Sequence, residues 1–334
     1  MKRMIGVMIL VVLVSLAGCT QNTFEDYQEA LFKTDNIERG KSNTRMDIEM
    51  IFNTEGLDGE TVKELKTFEN VIYEGTTSFD YTGDDVKVSS MNLLSLGGLG
   101  VNFDYHQEGN QTALYIPMVG KYLDLNADDL DDMLKQQSVS EMYSQVNLSE
   151  ETLSNLDELW RNTFEADEVV QGEKSTMETP EGDVRVVKFT VTPSKEKIKE
   201  FVRDASTIII EDESVQSLFE NLEAQEIVTV DEIEKHMTSW MDMWTVSSFS
   251  VIDYIDVDGY IVDSTVTFEI LINQEGAGGL KILKVNSSTK HYDIENPQDL
   301  IFPVLTNENS ITFDGLQQGL PSTYENLINH IERE

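Results

Sequence analysis

The 334-residue chain holds a single cysteine, so no disulfide can form within it. Its four histidines, His106, His236, His291 and His330, show no paired spacing, and one thiol adds too little to them for a zinc site. Basic residues are scarce: 24 lysines and arginines face 62 aspartates and glutamates, giving a net charge of −38. A surface this acidic lacks the cationic footprint that nucleic-acid phosphates require. Only 6 prolines and 20 glycines, spread along the chain, leave no room for a long low-complexity linker. No G-x-S-x-G elbow occurs, and the glycine-rich GGLG at 97–100 lacks the spacing and the lysine of a phosphate loop. Paired carboxylates are uninformative where acids are so abundant. The sequence therefore predicts no catalytic residue, no metal site and no cofactor, and a protein that is not an enzyme.

What is present begins at the N-terminus. Lys2 and Arg3 precede an apolar run from Met4 to Leu16, shorter than the roughly 20 residues of a spanning helix and typical of a secretory segment. Ala17, Gly18 and then Cys19 follow. Leu16-Ala17-Gly18-Cys19 resembles the bacterial lipobox. That resemblance implies a diacylglyceryl group on the Cys19 sulfur and cleavage between Gly18 and Cys19. The thiolate is the natural nucleophile to accept the lipid. Two acyl chains, at ~0.8 kcal/mol per buried CH2, hold a protein stably on a membrane where one chain does not. Thr20 stands where an aspartate would mark inner-membrane retention. The expected location is the extracytoplasmic face of the cell membrane.

Removing residues 1–18 takes away two basic residues and no acidic one, so the charge moves from −38 to −40. A body so acidic is not expected to lie flat on anionic lipid. It either stands off the bilayer and attracts cations or a basic partner, or is acidic for solubility alone.

Periodicity predicts an amphipathic helix over 24–37, with Phe24, Tyr27, Leu31 and Phe32 on one face. Met46, Ile48, Met50 and Phe52 then alternate with polar neighbours, as in a half-buried strand. Further strands are expected near 70–81, 85–94, 101–106, 112–117 and 121–125, separated by turn residues. Residues 126–166 read as helices, with Asn126 and Ser149 as N-caps. Strands near 168–177 and 184–192 follow, then helices near 194–206, 214–224 and 230–244. Strands near 247–257, 260–273 and 279–293 close the pattern, with a helical tail at 321–333. Strands in runs and helices in runs mark an α+β fold. The expected form is a curved antiparallel β-sheet, a half-open barrel wrapped around helices. The divisions are a signal peptide at 1–18, a short lipidated tether at 19–23, one domain at 24–313 and a C-terminal tail at 314–334.

Three motifs remain. DYIDVDGYIVD, 253–263, looks calcium-like, but Tyr254 and Val257 break the alternation of ligands, and Asp258-Gly259 fits a two-residue hairpin turn. In MNLLSLGGLGVNF, 91–103, Leu93, Leu94, Leu96 and Leu99 surround a glycine turn. They form a buried hairpin end, a mobile lip on a ligand cavity or a loop that touches lipid. In HMTSWMDMW, 236–244, Met237, Trp240, Met241 and Trp244 are a core helix or an adaptable pocket wall.

The lipobox, the SNTRMDIEM strand, the YIPMVGKYLDL strand pair, the YIDVDGYIVDSTVTFEI hairpin and the NPQDLIFP close occur in an order that resembles LolA/LppX-like lipoproteins of Gram-positive bacteria. The resemblance spans about residues 30–305. It implies a half-open β-barrel closed by helices, with an apolar interior that accepts acyl chains. It carries no functional residue across, because apolar character and not a motif defines such a cavity. The expected function is binding of a lipid or other amphiphile without chemistry. The alternative is a structural or regulatory envelope lipoprotein that presents its acidic surface to an envelope protein partner.

Overall fold

A computed structural model describes residues 23–83, 85–125, 148–180, 182–224, 243–273 and 279–311. In it, the alternation of Met46, Ile48, Met50 and Phe52 does build a strand, but one longer than the apolar pattern marks. Strand β1 runs Arg39–Phe52, pairing with one neighbour over 11 residues and with another along most of its length. Its first half, Gly40 to Thr44, is polar on both faces, which hides it from a search for hydrophobic periodicity.

The other strands are β2 (Asn70–Asp80), β3 (Lys87–Leu96), β4 (Leu99–Glu108), β5 (Gln111–Ile116), β6 (Lys121–Asp124), β7 (Val169–Thr179), β8 (Gly182–Val191), β9 (Trp244–Asp256), β10 (Ile261–Ile272), β11 (Leu280–Tyr292) and β12 (Ser310–Ile311). They form one curved, unclosed sheet in the order β12-β6-β5-β4-β3-β2-β1-β11-β10-β9-β8-β7. Every pairing is antiparallel except β12 with β6. Two meanders thus meet where β1 joins β11, and the expected α+β architecture with a curved antiparallel sheet is what the chain adopts.

Five helices lie among the described residues: α1 (23–35), α2 (Gly59–Phe68), α3 (Glu150–Thr163), α4 (Lys195–Ile210) and α5 (Glu213–Ala224). None is long and apolar enough to cross a membrane. Ser149 and Ser194 cap α3 and α4 by accepting from Thr152 N and Lys197 N, as their position before acidic first turns suggests. Helix α2 is a surface element that periodicity does not reveal, because it buries no residue. It is set by Asp58, whose carboxylate accepts from the amides of Glu60 and Thr61.

The core lies on one face of the C-terminal meander. Tyr27, Ala30 and Leu31 of α1 pack with Phe164 and Val169 onto Phe189, Val191, Val251, Ile255 and Ile261. Each fully buried large apolar side chain contributes about 1.5–3 kcal/mol. Phe32, expected on the same helical face, is exposed, since it lies 100° around the helix from Leu31. A second cluster sets Ile198 of α4 against Trp244, Val246 and Ile270. Trp244 opens strand β9 and does not end a helix as expected. The residues 126–147, 225–242 and 312–334, including expected helices and the tail, lie outside the described residues.

Candidate functional site

Strand register fixes which side chains share the helix-bearing face, because neighbours in register point the same way across a sheet. Starting from Val191 and Val251 under α1, one row runs through Val266, Ser287, Met46 and Tyr73 to Leu94 and Val101. The next row runs from Phe249 through Phe268, Val285, Ile48 and Val71 to Leu96 and Leu99. Three of the four leucines picked out by the sequence, Leu94, Leu96 and Leu99, therefore belong to the same apolar surface as the core, whereas Leu93 lies in the row of Asn102, Glu74 and Arg45 on the opposite face.

Exposure separates the readings of that hairpin. Leu94 is 43% exposed, Leu99 68% and Val101 45%, so this hairpin end is not buried among the described residues. Helices α1, α3 and α4 pack on the C-terminal half of the face, and α2 packs beside β2 and the β3–β4 turn on the N-terminal half. The hairpin tip is built to approach α2 closely. Gly97 and Gly98 have φ of +57° and +84°, the left-handed turn that glycine makes freely. A Cβ on Gly97 would also stand 2.8 Å from the carbonyl oxygen of Thr67.

The remaining expected residues divide. Trp244 is 1% exposed and is taken up by packing on Ile198, with Lys199 donating to its carbonyl at 3.2 Å. Met237, Trp240 and Met241, together with Gly18 and Cys19, lie outside the described residues. The 253–263 motif forms a turn, as its Asp-Gly pair predicts, but with four residues between the strands. Asp256 accepts from the amides of Asp258 and Tyr260, both at 2.9 Å, so its carboxylate serves the loop. Among the described residues no three histidines or carboxylates gather as a metal site.

Two features of this face escape sequence reading. Beyond the apolar rows, the next row runs Phe103, Asn92, Gly75, Thr44, Thr289, Ser264 and Asp253. The Tyr73 hydroxyl donates to Asn92 Oδ1 at 2.8 Å, Asn92 Nδ2 donates to Ser90 Oγ at 2.9 Å, and Thr44 and Thr289 hydroxyls meet at 3.2 Å. Asn92 and Ser90 are buried. Gly75 makes room for this: a Cβ there would sit 2.6 Å from the Tyr73 hydroxyl oxygen.

At the helix-covered end of that row, Asp253 is 1% exposed and accepts from the Tyr27 hydroxyl at 2.7 Å. Burial raises its carboxyl above the ordinary aspartate value; the Ser264 and Tyr27 hydroxyls oppose that rise, and the charge of Asp263 adds to it. Burial, with the neighbouring Asp253, likewise drives the Tyr27 hydroxyl well above a normal phenol. Asp253 Oδ1 accepts no hydrogen bond of normal geometry, although Ser264 stands directly opposite. The pair is a buried polar pin through the core, visible only once α1 and β9 are brought together.

The opposite face is mixed. A concavity of about 620 Å3 there is bordered by Met91 and Leu93 as well as by Asn43, Arg45, Glu74 and Lys290. Arg45 pairs with Asp47 and Glu74, and Lys290 with Asp263. The concavity lies on the face away from the core.

No protein-family model matches the sequence, and no curated protein matches it significantly. Among solved structures the chain is similar to a β-barrel-like protein of a domain of unknown function from Brucella abortus, at 12% identity over 77% of this chain and 100% of that one, with a TM-score of 0.17. It is also similar to a LolA superfamily protein from Nitrosomonas europaea, at 9% identity over 86% and 96% of the two chains, again with a TM-score of 0.17. At scores this low nothing is carried from either protein to this one.

Proposed function

We propose that the chain is a lipoprotein tethered through diacylglyceryl-Cys19 to the outer side of a cell membrane, where it holds an amphiphile on the apolar half of its sheet that is exposed among the described residues. One observation carries the binding part. The rows that form the core under α1 continue in register to Leu94, Leu96, Leu99 and Val101, which remain accessible among the described residues. Acyl chains suit such a surface. It is broad and aliphatic, and burying it yields about 25 cal/mol per Å2 without any directional contact. The LolA/LppX-like order of motifs supports the same reading, as does the lipobox for the tether.

Binding is tested by native mass spectrometry of the full chain released gently from membranes. A co-purifying amphiphile, lost in a Leu94→Asp, Leu99→Asp double variant that still folds, is expected. A protein that stays empty through repeated preparations refutes it. The tether is tested separately, by incorporation of labelled glycerolipid into the wild type and its loss in Cys19→Ser.

A further inference from the structure

The helix-bearing face is not uniformly apolar, and its polar part has a definite chemistry. Beside the aliphatic rows lie two rows of hydroxyl and amide side chains, centred on Ser42, Thr44, Thr77, Ser90, Asn92 and Thr289. A packed core would place aliphatic residues there, as the adjoining rows do, because each buried polar group needs a partner. Part of this capacity is spent internally, in the Tyr73–Asn92–Ser90 chain and the Thr44–Thr289 contact. Part is not: the buried Nδ1 of His291, next to Ser42 in register, has no hydrogen-bond partner among the described residues, and Ser42 and Thr77 are only half-buried.

The charges tell the same story. From the row of Leu99 and Leu96 to that of Tyr105 and Ser90, no lysine or arginine occurs on this face of β1–β4, β10 or β11. The cations Lys41, Arg45, Lys87, Lys284 and Lys290 stand on the other face, each in an ion pair. A phosphate brought against the hydroxyl rows would lose water and gain no counter-charge, a heavy penalty in a low-dielectric site. An uncharged headgroup carrying hydroxyls would exchange hydrogen bonds with water for hydrogen bonds with these side chains.

Resting on the amphiphile-binding reading above, we propose that the ligand is a neutral lipid with a hydroxyl-bearing headgroup: acyl chains on the rows of Leu94 and Leu96, and headgroup on the rows of Asn92 and Ser90. The face thereby discriminates against anionic phospholipid.

The full chain is reconstituted into vesicles carrying a trace of one of two probes with the same diazirine-bearing acyl chains, monoglucosyl diacylglycerol or phosphatidylglycerol. Both probes offer hydroxyls and only the second carries a phosphate. After illumination, labelling of the β1–β4 peptides is expected to favour the neutral probe by about fivefold or more, a small part of what an unpaired charge costs in a low-dielectric site. Thr77→Lys, which supplies a counter-charge on a half-buried position of the row, should bring the ratio toward one. Ser42→Lys provides a second route to the same change if Thr77→Lys does not fold. Equal or stronger labelling by phosphatidylglycerol overturns the headgroup inference and leaves lipid binding standing. A ratio unchanged in a folded variant also overturns it. Labelling by neither probe removes the inference and the lipid-binding reading together.

Discussion

Removing one oxygen atom from Tyr27 tests whether the core is pinned as described. Tyr27→Phe keeps the ring, fully buried and stacked on Phe189 at 5.7 Å, and deletes the hydroxyl that reaches Asp253 at 2.7 Å. What is left is a buried carboxylate with neither oxygen in a normal hydrogen bond to a described group. A hydrogen bond to a charged group contributes about 1.5–3 kcal/mol, and a neutral one about 1 kcal/mol. The loss must therefore depend on the charge state of Asp253. Its carboxyl is raised in the folded protein, chiefly by burial, and the Ser264 and Tyr27 hydroxyls hold it down. An acid with a raised folded pKa gives its full contribution below the unfolded value, near 4. That contribution fades as pH rises through the folded value. Deleting the hydroxyl raises the folded value further, so the gap between wild type and variant widens with pH. Urea unfolding should show a loss of about 1 kcal/mol near pH 4 and about 2–3 kcal/mol at pH 8. In an Asp253→Asn background the same change should cost about 1 kcal/mol at both. A loss that is equal at the two pH values, or equal in the two backgrounds, would refute the pin.

Other substitutions probe neighbouring parts of the fold. Gly75→Ala puts a methyl group 2.6 Å from the Tyr73 hydroxyl and should destabilise by about 1–3 kcal/mol in thermal unfolding, with partial rescue by Tyr73→Phe. No rescue would mean that the clash is elsewhere. Ser194→Ala removes the cap that accepts from Lys197 N at 3.3 Å and should lose about 1 kcal/mol of stability by urea midpoint. Asp212 accepts from Ser149 N, Thr152 Oγ1 and both Ser214 donors, and these hydrogen bonds hold its carboxyl well below the usual range. Its stabilising effect is therefore complete above about pH 4 and fades as pH falls toward the folded value. Asp212→Asn should accordingly melt lower than wild type at pH 7, with the difference shrinking in acid.

Much of the architecture can be read from the chain because its turns are marked by glycine, asparagine and aspartate. The expected strands at 70–81 and 112–117 correspond to β2 and β5 within a residue, and Ser149 and Ser194 start helices because their hydroxyls satisfy first-turn amides. The early half of β1 is obscure because it is polar on both faces, and α2 because its apolar stripe is only Val62, Leu65 and Phe68, none of them buried. Leu94, Leu96 and Leu99 stand out by composition, yet their partners on the face, Met46, Ile48, Val71 and Tyr73, do not. Joining them takes the β1–β11 and β1–β2 registers, pairings between residues as much as 251 positions apart (Lys41 with Tyr292) that no local pattern encodes. Asp253 is equally opaque. In VIDYIDVDG it reads as one acid among several, and only the approach of Tyr27 from α1 distinguishes the buried carboxylate from its exposed neighbours.

Because Cys19 is the chain's only cysteine and would be occupied by lipid in the function proposed, a second one can report on a chosen place without competition. Leu94→Cys and Asn102→Cys lie close in the same hairpin but on opposite faces of the sheet. Each is labelled with a fluorophore, and the full chain is mixed with lipid whose acyl chains carry bromine. Strong quenching at position 94 with little at 102 is the predicted outcome, since only the first looks onto the apolar rows. Equal quenching at both positions, or none at 94, would contradict an amphiphile bound on that face.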